Sequence, residues 1–183
     1  SQERSEVINP ITWWIENTTP LELRDAVKDG VLAWNKAFEA AGFINAVEVK
    51  IQPDDAEWDA GDIRYNVLRW ASSPSPPFSG YGPSFVNPRT GQILGADIML
   101  EYSSFTYRVK TEKIFETFSD KEFLEDEHSC QFSQVMQENN LFAMIASRTI
   151  GDFSSLEQHR IIYEALVDLS LHEVGHTLGL SHN

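Results

Sequence analysis

Hydrophobic positions along this chain follow two rhythms, one of alternation and one of steps of three and four. Ile8–Glu16 is dense in β-branched and aromatic residues and predicts a strand, closed by the turn-forming Asn17-Thr18-Thr19-Pro20. A helix is predicted next, with Thr19 as N-cap, Pro20 at the first helical position and Glu22 three residues after the cap. Leu23, Val27, Val31, Trp34 and Phe38 then form an amphipathic stripe that continues to Ala41 and stops at Gly42. Ala46–Gln52 and Asp62–Ala71 alternate as strands exposed on one face, and the Pro- and Ser-rich Ser72–Pro77 reads as a surface loop. Gly82–Val86 and Gly95–Tyr102 are short extended runs joined by the turn signal Asn87-Pro88-Arg89-Thr90-Gly91.

From Ser103 to about Asp152 charged residues interleave with Phe115, Phe118, Phe123, Leu124, Val135, Met136, Leu141, Phe142 and Ile145 at mostly helical spacing. This predicts a helical insertion carried on a sheet domain, since about 50 residues would make a marginal core alone. The last helix is predicted from about Ser155 to Gly179, where Leu156, Ile161, Ile162, Ala165, Leu166, Leu169 and Val174 make a wide apolar face. Strand, long helix, four strands and a buried helix together predict an α/β (α+β) fold.

Composition narrows the chemistry. The 183 residues suffice for one domain with its own core. No apolar run reaches the ~18 residues that cross a bilayer, and the polar Ser1–Asn9 shows no signal peptide. The net charge of −14 argues against nucleic acid as a partner and leaves an acidic solvated surface or basic substrates. Cys130 is the sole cysteine, which excludes an internal disulfide and a cysteine-based metal site. Metal chemistry would therefore fall to histidines and carboxylates.

The last predicted helix ends in His172-Glu173-Val174-Gly175-His176-Thr177-Leu178-Gly179-Leu180-Ser181-His182. His172 and His176 are one turn apart, so both imidazoles leave the same face and can share one zinc ion at roughly 2.0–2.1 Å. Glu173 sits about 100° further round, off the ligand set and placed to address water on the metal as general base. A continuous helix would carry His182 about 15 Å beyond His172. Gly179 is therefore expected to end the helix in the left-handed conformation and turn His182 back as third ligand. Three protein ligands with a fourth position left for water is the catalytic zinc arrangement. The full pattern HExxHxxGxxH arises by chance in roughly one chain in 10^5 of this length, so the bland alternative, a buried helix with satisfied histidines, explains it less well.

These residues resemble the metzincin clan of zinc endopeptidases. The resemblance implies an upper subdomain of a twisted, mixed five-stranded sheet with an antiparallel edge strand, a backing helix and an active-site helix, here with the helical insertion added. Asp62-Ile63-Arg64-Tyr65 looks like the family's third strand. Gly82–Val86 looks like the edge strand lining the cleft, with Gly82, Pro83, Ser84 and Phe85 as peptide-binding positions. The segment GPSFVNPRTGQILGADIML is similar to the metzincin-like domain of large secreted bacterial metalloproteases, which implies a secreted or bacterial cell-envelope location. Metzincins carry a methionine turn in a lower subdomain after the third histidine. That part is expected beyond Asn183, as a partner from the same polypeptide, and a piece without it is expected to hold zinc weakly and to be inactive. The acidic calcium cluster of matrix metalloproteases is missing after Gly95-Ala96-Asp97, so calcium is not implied.

The expected activity is hydrolysis of peptide or protein substrates by a zinc-activated water with Glu173 as general base. The rival readings are a peptide-binding or scaffold module that has lost turnover, and a zinc amidohydrolase acting on a non-peptide substrate. Other residues read as bland. His128 lies in an acidic surface stretch, His159 in the polar opening of the last helix, and Cys130 as a small buried hydrophobe. Trp13, Trp14, Trp34, Trp58 and Trp70 are expected in the core.

Overall fold

A computed structural model describes residues 4–73, 80–102 and 155–182. The expected insertion at 103–152, with His128 and Cys130, lies outside the described residues. The elements run β1 (Ser5–Glu6), β2 (Ile11–Ile15), α1 (Leu21–Leu32), α2 (Trp34–Ala40), β3 (Phe43–Ile44), β4 (Val47–Ile51), β5 (Asn66–Ala71), β6 (Gly80–Tyr81), β7 (Ser84–Val86), β8 (Ile93–Glu101) and α3 (Ser155–Thr177). This is the mixed α/β class expected, with helices and a mixed sheet.

The main sheet has the order β4-β2-β5-β8-β6, with β7 also on β8. β4, β2, β5 and β8 run parallel, while β6 and β7 are antiparallel to β8. Side chains alternate across each strand, and one face carries Trp13, Ile15, Leu68, Ala96, Ile98 and Leu100, all buried. Helices α1 and α3 both pack on that face, α1 over β2 and β4 and α3 over β8 and β6. Val27 and Val31 of α1 and Leu169 and Val174 of α3 complete the cluster. Trp34 and Trp70 pack against it from partly buried positions. Trp14 instead faces the other side of the sheet, edge-on to Trp58 and Tyr65, which stack at 3.9 Å.

Several boundaries differ from the expectation, each for a local reason. Asp62–Tyr65 is a turn and not the start of a strand. The Asp62 carboxylate takes the Arg64 backbone N–H (3.1 Å) and guanidinium, and Tyr65 N donates to Asp62 O (3.0 Å). A side chain that bonds its own backbone two residues on competes with the ladder. The expected edge strand Gly82–Val86 is shortened to β7, and β6 just before it is an additional strand, so the sheet has six strands where five were expected. Pro83 has no N–H to give to a ladder. At α1 the cap residue is Pro20 and no side chain caps it. Thr19 is buried, and its carbonyl accepts from Arg24 Nε at 2.8 Å. The first helix is interrupted at Ala33, and Gly42 ends its second part with φ of 99° as expected. β1 and β3, a parallel pair of two residues each, have no periodic signal to announce them.

The approach of α1 to α3 is set by Gly30. A Cβ there would lie 2.4 Å from Val167 O and 2.7 Å from Ser170 Cβ. Glycine inside a helix costs about 1 kcal/mol relative to alanine, so its presence is explained by the crossing. Gly30→Ala should therefore destabilise the fold by a net 1–2 kcal/mol or about that, measured by denaturant unfolding, although the propensity change alone would stabilise it. A variant of equal or greater stability would show that the helices have room to separate.

Candidate metal centre

Helix α3 carries two of the donors and the carboxylate. His172 and His176 lie one turn apart, and their Nε2 atoms are 2.9 Å apart. His182 Nε2 stands 3.1 Å from each of them. These three histidines form a cluster able to hold a metal ion among the described residues.

The return of His182 follows from the helix end. Gly179 has φ of 95°. Around it Leu180 N donates to Gly175 O (3.1 Å) and Gly179 N to His176 O (2.9 Å). This is the Schellman pair of hydrogen bonds, which satisfies the last carbonyls and reverses the chain. The turn also delivers Leu180 O to within 2.9 Å of His176 Nδ1. A carbonyl only accepts, so His176 carries its proton on Nδ1 and presents a lone pair at Nε2. Sequence spacing anticipated the turn at Gly179 but not this choice of tautomer.

With His176 Nε2 unprotonated, at least one of the three contacts among the Nε2 atoms lacks a proton between its nitrogens. One central cation would satisfy all three. Tetrahedral coordination at ~2.0–2.1 Å separates nitrogen ligands by about 3.3–3.4 Å, a triangle only slightly wider than the present one. The donor set thus fits a zinc ion. Burial pushes the His172 imidazole below the usual histidine range, against a weaker upward pull from Glu173. His182 is also lowered, by burial and then by His176 and His172. Both shifts favour the neutral, metal-binding form at pH 7.

The Glu173 carboxylate lies against the backbone of Gly80 and Gly82 at the sheet edge. The residue is 1% exposed, and among the described residues its Oε1 has no hydrogen-bond partner. Burial raises its carboxyl to about 7, opposed by His172. A group titrating there can take or release a proton at neutral pH.

Two features of the site escaped the sequence reading. Trp34 Nε1 donates to Leu171 O at 2.9 Å, and the indole lies over Gly175, where a Cβ would come within 3.0 Å of the ring. The apolar stripe placed Trp34 correctly but could not show this bond across 137 residues. A recess of about 430 Å³ bounded by Trp34, Leu171, Gly175 and Leu180 opens onto the three histidines. The second feature is Gly80, whose backbone abuts Glu173. Of the expected peptide-binding positions, Gly82 also touches Glu173, and Pro83 O accepts from Asp97 N at 3.2 Å. Ser84 and Phe85 pair with Ala96 and Gly95 in β7. His159 is exposed on α3, thirteen residues before His172 and so about 20 Å away along the axis.

The buried carboxyl makes stability depend on pH. Its folded pKa of about 7 lies above the ordinary 4.5, so the folded chain keeps a proton that the unfolded chain has released. The contribution of Glu173 therefore falls as pH rises from 4.5 to about 7 and is level above that, a change on the order of 3 kcal/mol. In the metal-free protein, Glu173→Gln should gain on the wild type across this interval by up to about that amount. Denaturant unfolding at a series of pH values reads the difference, and a pH-independent gap would mean that the carboxylate is solvated.

No protein-family model, curated protein or solved structure matches the chain, so its own geometry must carry the functional reading.

Proposed function

We propose that the protein is a zinc-dependent peptidase of the metzincin type, with His172, His176 and His182 holding the ion and Glu173 acting as general base. The observation that carries this reading is the convergence of three Nε2 atoms within 3.1 Å, with a buried carboxylate on the neighbouring residue of the same helix. A bound zinc ion supplies a Lewis acid that polarises a carbonyl and acidifies water.

The chain's own residues supply the rest. Leu180 O holds His176 in the tautomer that leaves Nε2 free to bind. Trp34 ties the carbonyl of Leu171 to the start of α2, which fixes the height of His172. Glu173 takes a proton from the attacking water on a carboxylate oxygen and passes it to the departing amine. The sheet edge at β7, with Phe85 and Val86 exposed, pairs on one side with β8, and among the described residues its other side is left for an extended peptide. The recess beside the histidines provides apolar space for a substrate side chain.

Metal analysis of the natural full-length polypeptide should find one zinc per chain. His176→Ala should weaken zinc binding by more than the 10–100-fold typical of losing an outer partner. Glu173→Gln should retain the metal and lose roughly 10²–10⁴-fold in kcat on a generic protein substrate. Hydrolysis at the wild-type rate in Glu173→Gln would sink the assignment of the base. A zinc-loaded wild type that binds peptides without cleaving them would favour the binding-module reading, and cleavage of small amides alone would favour an amidohydrolase.

A further inference from the structure

Strand β6 meets Glu173 with bare backbone. Residues 80 and 82 lie on the same side of the chain, two apart, and both are glycine. A Cβ on Gly80 would lie 2.6 Å from Glu173 Oε1 and 2.9 Å from both Cδ and Cγ. A Cβ on Gly82 would lie 2.9 Å from Glu173 O and 3.3 Å from Oε2. Between them Tyr81 is 46% exposed. The strip therefore follows Glu173 from its own backbone to the tip of its carboxylate. Glycine within a strand weakens it and marks a close approach of another group. Here that group is chiefly Glu173, backbone and side chain, with Ile98 Cγ1 at 3.3 Å from a Cβ at position 82.

We propose that Gly80 and Gly82 are positioning residues: a two-glycine strip of the sheet edge that sets where the Glu173 carboxylate stands. The proposal rests on the reading of Glu173 as general base. The atoms nearest to a Cβ at either glycine belong to Glu173 and Ile98, and the register of the strip is fixed independently by Gly80 pairing with Leu100 and Tyr81 with Met99. The carboxylate, on a side chain with three rotatable bonds, is consequently located by a wall that belongs to the sheet and not to its own helix. The two positions differ in what they touch. The three atoms nearest to an added methyl at 80 are all side-chain atoms of Glu173, which can swing aside, whereas one at 82 meets its backbone oxygen and Ile98 Cγ1.

Gly80→Ala is accordingly the informative variant, because the fold can accommodate it by moving the carboxylate alone. It should lower kcat about 10–100-fold, the scale of a misplacement near 1 Å, with KM changed less than about threefold and zinc affinity unchanged. In the metal-free protein, thermal unfolding gives a second reading that does not depend on turnover. The loss in Tm caused by Gly80→Ala should vanish when Glu173 is also truncated to Ala, since the methyl then occupies the space released. Wild-type kcat in Gly80→Ala overturns the proposal, as do additive Tm changes in the double variant. A loss of zinc affinity in step with kcat, or a double variant that still fails to fold, would show a purely structural strip and overturn it too. Glu173→Gln separates the two readings: if it is inactive while Gly80→Ala is fully active, the base stands and the strip does not matter.

Discussion

The carbonyl oxygen of Val167 faces Gly30 across a gap that a single methyl group would overfill. This contact brings α1 and α3 together at backbone distance, and the placement of α3 decides the rest of the site. Seated so deeply, α3 receives the Trp34 indole on its Leu171 carbonyl, with the ring pressed on Gly175. On its other flank the backbone at Gly80 and Gly82 comes equally close to Glu173. The helix is thus met on both flanks at glycines, where backbone comes within a methyl's width of it. A donor group on such a helix has little freedom of position, which is what a metal ion and a general base both require.

The end of α3 turns that rigidity into a site. Gly179 reverses the chain, and the same turn delivers both the His182 ring and the Leu180 carbonyl that sets the His176 tautomer. One local motif therefore places the third donor and prepares the second. The electrostatics agree with this geometry, since burial lowers the His172 imidazole, and burial with the neighbouring His176 and His172 lowers His182.

Much of this could be read from residue order, because the relevant signals are local. The four-residue spacing of His172 and His176, the glycine at 179 and the stripe Val27-Val31-Trp34 depend only on helix geometry. The Asn87–Gly91 turn is equally local, resting on turn chemistry and on Gly91 with φ of 73°. What escaped is non-local or finer than the periodicity. The Asp62 carboxylate captures Arg64 and removes four residues from a strand whose alternation was otherwise sound. β1 and β3 are too short to have a period. Nothing in the order of residues reveals that Trp34 will reach Leu171 or that glycines 80 and 82 will lie on Glu173, because both contacts come from how the sheet and helices stack.

The three histidines also stand at the C-terminal end of a helix of 23 residues. Peptide dipoles aligned along such a helix leave roughly half a negative charge at this end, carried by its last carbonyls. A dication there is drawn by a field that the ligands themselves do not generate, and the chain's net charge of −14 adds to the attraction at long range. A protonated imidazole would be held by the same field, so protons and metal compete for one electrostatic well. Acidification would set protons against any cation there at the three histidine nitrogens, while the backbone's polarity stays unchanged with pH.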